Sequence, residues 1–333
     1  MSVSKMKTSS SEVTTLKESL AEIPIDMRDF SLAMRSLYSD KAVGTTTDAA
    51  RKFRALRDDT RQDAVVFLKC ILPISTKFVM SIKAYFEYYE ALTYEEWCDM
   101  LADILEETTT YKEVAQAVVG MYESIMVPLK KREDEAKLLI TEFKDLQVEF
   151  ERQRKALESA ANSKRKWSAF LAFVPFVNVI ATPILEAQAD SDLAKAVAAA
   201  QQSKVNEAAT IVVAHTLIPA LSNFINGLTK AAGFFQVMEH ELELFGEKAE
   251  KGVASPKRLH YKVMSKEAKE IQSLCQGFYA ILPAVRTDFE AIPAEGTDQN
   301  YVDKWLEKTL DEIQKKRKST FEFIRDGFKK ALQ

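Results

Sequence analysis

Three histidines, three cysteines and many scattered carboxylates are what this 333-residue chain offers to catalysis. His240 and Glu241 begin the pattern by which a zinc protease sets two imidazoles and a general base on one helix face. Leu244, however, stands where the second imidazole belongs. The nine glycines are scattered singly, so no loop cradles a phosphate, and there is no Gly-x-Ser-x-Gly elbow. Cys70, Cys98 and Cys275 are odd in number and far apart, giving neither a disulfide framework nor a zinc spacing. Asp and Glu are mixed with Lys and Arg along helical patterns, as on solvated faces. The sequence therefore predicts no catalytic, cofactor-binding or metal-ligating residue, no cofactor and no small-molecule substrate.

The chemistry that the residue types do support is partition into lipid. Two stretches, Trp167–Leu185 and Ala208–Thr229, carry no Asp, Glu, Lys or Arg in a chain that is 29% charged. Each is on the order of 20 residues, the length at which a helix crosses a bilayer. The first holds Trp167, Phe170, Leu171, Phe173, Val174, Phe176, Val177, Val179, Ile180, Ile184 and Leu185. Its ten Phe, Leu, Val and Ile side chains favour insertion by roughly 3 to 6 kcal/mol, opposed by Pro175, Asn178 and Pro183. The second holds Ile211, Val212, Val213, Leu217, Ile218, Leu221, Phe224, Ile225 and Leu228. These twenty side chains are the candidate inserting set. Lys164, Arg165 and Lys166 before Trp167, and Lys230 after the second run, stand where headgroups would want cations.

Within the second run, His215, Pro219, Ser222, Asn226 and Thr229 recur at spacings of 4, 3, 4 and 3, one stripe of a helix. Val213, Leu217, Leu221, Phe224 and Leu228 lie largely away from it. Such a stripe lines water in a pore or faces a neighbouring helix in a soluble bundle. His215, read as buried, is either an acid-sensitive trigger for insertion or a core histidine.

The flanking chain reads as helices. Nine Gly and nine Pro are few, so uninterrupted helices are long. Residues 1–20 are Ser/Thr/Lys-rich and read as loose, with a short helix from Ser11–Glu12. Asp48 is a cap for a long helical pattern. The apolar stretch 64–92 is interrupted by Lys69, Lys77, Lys83 and Glu87, which favours a buried helix kinked at Pro73 over a membrane span. Glu95–Met126 is helical, with a kink or break at Pro128. Leu129, Arg132, Ala136, Leu139, Phe143, Leu146, Phe150, Gln153, Leu157 and Ala160 alternate spacings of 3 and 4, a heptad seam leading into the first run. After the second run a helix descends to Phe245, with a break before Pro256 bracketed by Gly246 and Gly252. Leu259, Val263, Ile271, Leu274, Phe278 and Ile281 carry another helix to Pro283, and Tyr301–Leu332 is the last.

The expected fold is all-α: an elongated, coiled-coil-like bundle of long helices with a central hydrophobic hairpin as its head. The Val/Ile-rich pieces VNVI (177–180) and TIVV (210–213) allow a short β-tongue instead. The domains are an N-terminal segment 1–40, a helical bundle 41–166 with 230–333, and the head 167–229.

In this order of elements the chain resembles the α-helical pore-forming toxins of the cytolysin A, haemolysin BL and Xax types, over roughly residues 40–333. The resemblance is carried by the seam Leu139, Phe143, Leu146, Phe150 and Leu157, the Lys164-Arg165-Lys166-Trp167 junction and the two runs. It implies a soluble protein that binds a membrane, releases its head and oligomerises, either alone or with partner toxin components. Some such toxins insert an amphipathic N-terminal helix; residues 1–40 here, with Pro24 and a weak apolar pattern, depart from them. The alternative reading is a cytosolic coiled-coil scaffold or membrane-bending bundle. A resident integral hairpin fits poorly with the polar residues in both runs. At net charge −3 no broad basic field calls for nucleic acid. The opening residues have no apolar core of a signal peptide, so synthesis in the cytoplasm and later release are expected.

Overall fold

A computed structural model describes residues 3–39, 48–160, 209–294, 296, 298–315 and 318–331, and all regular structure among them is helical. The helices are α1 (Val3–Ser39), α2 (Asp48–Val66), α3 (Leu72–Ala91), α4 (Tyr94–Asp99), α5 (Leu101–Ala160), α6 (Ile218–Ala254), α7 (Arg258–Glu290), α8 (Gln299–Gln314) and α9 (Lys318–Ala331). Local chemistry sets several boundaries. Thr93 and Glu96 form a capping box at the start of α4, and Asp298 accepts from Asn300 N–H to cap α8. Gly296 takes a φ of +75° in the turn before α8, where a side chain would be strained.

The chain forms two compact units. One comprises Met1–Leu32, Thr60–Lys130 and Asn223–Gln333; the other comprises Ala33–Asp59 and Lys131–Ser222. In the first, α7 runs antiparallel along α3: Tyr261, near the start of α7, donates its hydroxyl to Leu92 O, and Phe289, near its end, lies 4.8 Å from Phe67. The core is a column of rings. Phe30 of α1 stacks on Phe224 of α6 at 4.2 Å, and Phe234 stacks on Phe278 at 4.2 Å. Further along, Phe86 and Tyr89 each meet Phe245 at 5.1 Å. In the second unit, Phe53 and Leu56 of α2, Ala136, Leu139 and Phe143 of α5, and Val213, Leu217 and Leu221 are buried. Lys52 donates to Glu142 at 2.8 Å between α2 and α5.

Several sequence expectations fail for one reason: packing overrides local preference. Residues expected to be loose belong to α1. Its buried Leu16, Leu20, Ile23, Met27, Phe30, Met34 and Leu37 step by 4, 3, 4, 3, 4 and 3, a core-facing seam that passes Pro24 without a break. α5 continues through Pro128, α6 passes Gly246 and Gly252 and breaks only at Ala254, just before Pro256, and α7 continues through Pro283. One lost hydrogen bond per proline is offset by the burial on either side. Gly252 is held in its helix by contact, since a Cβ there would meet Leu101 Cδ2 at 2.9 Å and Trp97 Cη2 at 3.2 Å. In α7 the buried face runs through Met264, Ala268 and Ile271, whereas Leu259 and Val263 are exposed. The expected last helix is two, α8 and α9. TIVV is helical rather than β; VNVI lies outside the described residues.

Two prolines do leave a mark. Phe67–Ile71 and Val213–Leu217 are π-turns, each ending two residues before a proline, Pro73 and Pro219. In both, the residue just before the proline donates its N–H five residues back, Leu72 to Phe67 O and Ile218 to Val213 O. A turn one residue wider gives the pyrrolidine ring room against the preceding carbonyls.

Candidate membrane-inserting site

The described half of the apolar pair is the second run, which lies in a continuous helix over Ala209–Ala254. Its two faces are sorted as the spacing predicts. Val213, Leu217, Leu221, Phe224 and Leu228 are all 0% exposed. His215, Pro219, Asn226 and Thr229 are exposed and Ser222 is half-buried. His215 therefore belongs to the outer stripe and is not a core histidine. Each buried Val, Leu or Phe contributes about 1.5–3 kcal/mol over leaving it in water.

Of the remaining candidates in this run, Ile225 is buried, Val212 and Ile218 are half-buried, and Ile211 is exposed. Lys230 is tied down rather than free for a headgroup. Its ammonium lies 2.6 Å from Asp26 and 2.7 Å from Glu22. Partial burial works against its charge, but the bonds and charges of the two carboxylates outweigh that and raise the Lys230 pKa. Trp167–Leu185 and the Lys164-Arg165-Lys166 cluster lie outside the described residues.

Sequence reasoning missed the partner of this run. α1 covers its second half in three successive layers. Phe30 stacks on Phe224; Met27 lies against Gly227, where a Cβ would meet Met27 Cε at 2.9 Å; and Asp26 with Glu22 holds Lys230. The alternating 4- and 3-residue steps from Leu16 to Leu37 were the available signal, masked by Pro24 and the Ser/Thr-rich opening.

The groups first weighed for catalysis are not gathered. His240 is exposed, and its neighbour Glu241 is half-buried, with burial pushing its carboxyl pKa up. Burial likewise pushes the Cys70 thiol to about 12 and raises Cys275. A groove of about 270 Å³ between α5, α8 and α9 is lined by Glu113, Gln116, Ser124, Thr309, Glu312 and Thr320, where the Thr320 hydroxyl donates to Glu113 at 3.5 Å. Among the described residues no cluster could hold a metal ion.

Two helices, Asp48–Ala91 and Ala209–Ala254, are long and apolar enough to cross a membrane, a test that the core helix of a soluble protein also passes. No family model matches the chain, and no curated protein does. Two solved structures are similar to it. One is the SmhB pore of the tripartite α-pore-forming toxin Smh from Serratia marcescens, at 15% identity over 78% of this chain and 98% of that one, with a TM-score of 0.48. The other is the pre-pore AhlB of the tripartite α-pore-forming toxin AHL from Aeromonas hydrophila, at 13% identity over 86% and 99%, with a TM-score of 0.37. At these identities and scores neither likeness carries an inference about what this chain does, which rests on its own residues.

Proposed function

We propose that this chain is a pore-forming cytolysin, alone or as one component of a multi-component cytolysin. Its two charge-free runs enter the target membrane as a hairpin, and several copies assemble there. The observation that carries the reading is the sorting of the second run. One face is wholly apolar and buried, and the other carries no charge and presents His215, Pro219, Asn226 and Thr229 to water beside Ile211, with Ser222 half-buried. A core helix needs only the first face. A helix lining an aqueous channel needs both, because lipid tails and neighbouring helices replace the core on one side while water stays on the other.

A helical hairpin satisfies its own backbone hydrogen bonds within lipid, as an open β-tongue does not. Two helices cannot enclose water, so a pore requires oligomerisation. In the soluble form the apolar face must be covered, since large exposed apolar patches are rare on soluble monomers. Lipid contact then shifts a balance between two environments that each satisfy the same face.

The test is dye release from liposomes by the native protein and by a triple variant, Phe173→Asp, Val177→Asp and Ile180→Asp. Leakage by the native chain that the triple variant loses is the expected result. Undiminished leakage by the variant would remove the head as the inserting element. A native protein that stays soluble and unbound, alone and with candidate partner components, would replace this reading with the scaffold.

A further inference from the structure

Opposite charges are sorted into two adjacent patches at the end of the first unit, where α3 meets α4 and α6 meets α7. Residues 84–111 contain eight Asp or Glu and no Lys or Arg, and all eight acids are exposed. Residues 251–266 contain no acid and five cations, Lys251, Lys257, Arg258, Lys262 and Lys266, all of them exposed. Lys83 and Lys112 bound the first stretch, and Glu250 and Glu267 the second.

Three contacts hold the patches side by side. Gly252 lies against Trp97 and Leu101, the Tyr261 hydroxyl donates to Leu92 O, and the Arg258 guanidinium lies 5.0 Å over the Tyr94 ring. Ion pairing cancels little of either sign. Arg258 reaches Glu95 at 3.6 Å, but the two side chains are 76% and 74% exposed and the pair is solvent-screened. Lys251–Glu247 at 3.9 Å and Lys266–Glu270 at 3.7 Å are exposed pairs, each along a single helix. Apolar side chains stand open at the same junction. Leu259, next to Arg258, is 69% exposed; Val253, next to Gly252, is 50% exposed; and Met100, next to Asp99, is 41% exposed.

An anionic surface drawn to the basic patch is repelled by the acidic one, and a cationic surface the reverse. A fitting partner carries both signs side by side, and a second copy of this chain does so. A half-turn about an axis between the patches lays each on its opposite, so one pairing satisfies both. We propose that this end of the unit is an isologous contact between two copies of the chain, the basic patch of each on the acidic patch of the other. Val253, Leu259 and Met100 supply the apolar centre, and the charges steer the encounter and fix its register. The pairing needs no membrane and stands or falls independently of the pore.

The experiment is sedimentation velocity of the full chain under reducing conditions, across micromolar concentrations, at about 30 mM and about 500 mM salt. A monomer–dimer equilibrium is expected at low salt, shifted to monomer at high salt. Lys257→Glu with Lys262→Glu should raise the dimer Kd by roughly tenfold or more, and Asp99→Lys with Asp103→Lys should do the same from the other patch. Lys304→Glu with Lys308→Glu, exposed positions on α8 with the same change in net charge as the first variant, should leave it unchanged. Matching circular dichroism and melting curves establish that the variants fold, and the salt series on the native chain decides even where one does not. Monomer at every concentration in low salt overturns the proposal. So does a dimer indifferent to salt or intact in either patch variant, and so does a ladder of growing oligomers, which a closed two-fold pairing cannot produce.

Discussion

Asp48–Ala91 and Ala209–Ala254 are alike in length, in apolar content and in carrying a π-turn two residues ahead of a proline, yet they handle charge in opposite ways. Asp48–Ala91 has Lys69, Lys77, Lys83 and Glu87 within its apolar half, and two of these are committed to neighbours. Lys77 is bonded to Phe323 O, and Lys69 donates to Gln299 at 3.4 Å. Its most apolar window is 56% buried, against 44% for that of Ala209–Ala254. In Ala209–Ala254 the charges are held off to Lys230 and beyond, and the exposed side is amide, hydroxyl, imidazole and proline beside Ile211. Hydropathy alone does not separate a core helix from one suited to two solvents. What separates them here is whether the polar groups along the apolar stretch are charged and bonded to neighbouring elements, as Lys77 is, or uncharged and set on the outer side of the helix.

The sharpest way to break that comparison is at two adjacent residues. Leu221→Asp places a charge at a site with no exposure and should cost about 4 kcal/mol or more in chemical denaturation. Ser222→Asp, one step round the helix, should stay within about 0.5 kcal/mol. Similar losses at both would mean that the stripe is packed rather than open. On the other helix, Lys77→Met keeps much of the side-chain bulk but removes the bond and the cation–π contact to Phe323. A loss of about 1–2 kcal/mol is expected, and no loss would make that lysine incidental.

The smallest expected effect is at Lys230, whose pair with Asp26 and Glu22 is partly solvated. Lys230→Ala should cost about 1 kcal/mol or less. Its folded pKa is raised, so the paired form contributes fully below the ordinary lysine value of 10.5 and is lost as pH rises through the folded value. Denaturation midpoints of native and variant should differ by a constant amount through neutral pH and converge only in strong alkali. Convergence near neutrality would contradict the pairing.

Helicity, helix length and the two faces of the second run were legible in the sequence, because each is a periodicity that side-chain burial enforces. The punctuation was not. Pro24, Pro128 and Pro283, with Gly246 and Gly252, look like stops one residue at a time. In the fold each is outvoted by long apolar faces on both sides, such as Met27, Phe30 and Met34 in α1 or Phe278, Leu282 and Val285 in α7. Nothing local announced that Phe30 would stack on Phe224, since a contact spanning most of the chain is set by topology.

The π-turn before Pro219 has a consequence for helical phase. Ala209, Val213, Leu217 and Leu221 are all buried, at successive intervals of four. On a plain α-helix each such step overshoots by about 40°, so the last would point about 120° away from the first. The one extra residue held between Val213 and Leu217 absorbs that drift and keeps all four in one line. A helix built this way already carries a spare residue. Loss of one position there would restore the ordinary 3.6-residue pitch and keep the dry line straight, whereas the same loss a turn further along would twist it by about 100°.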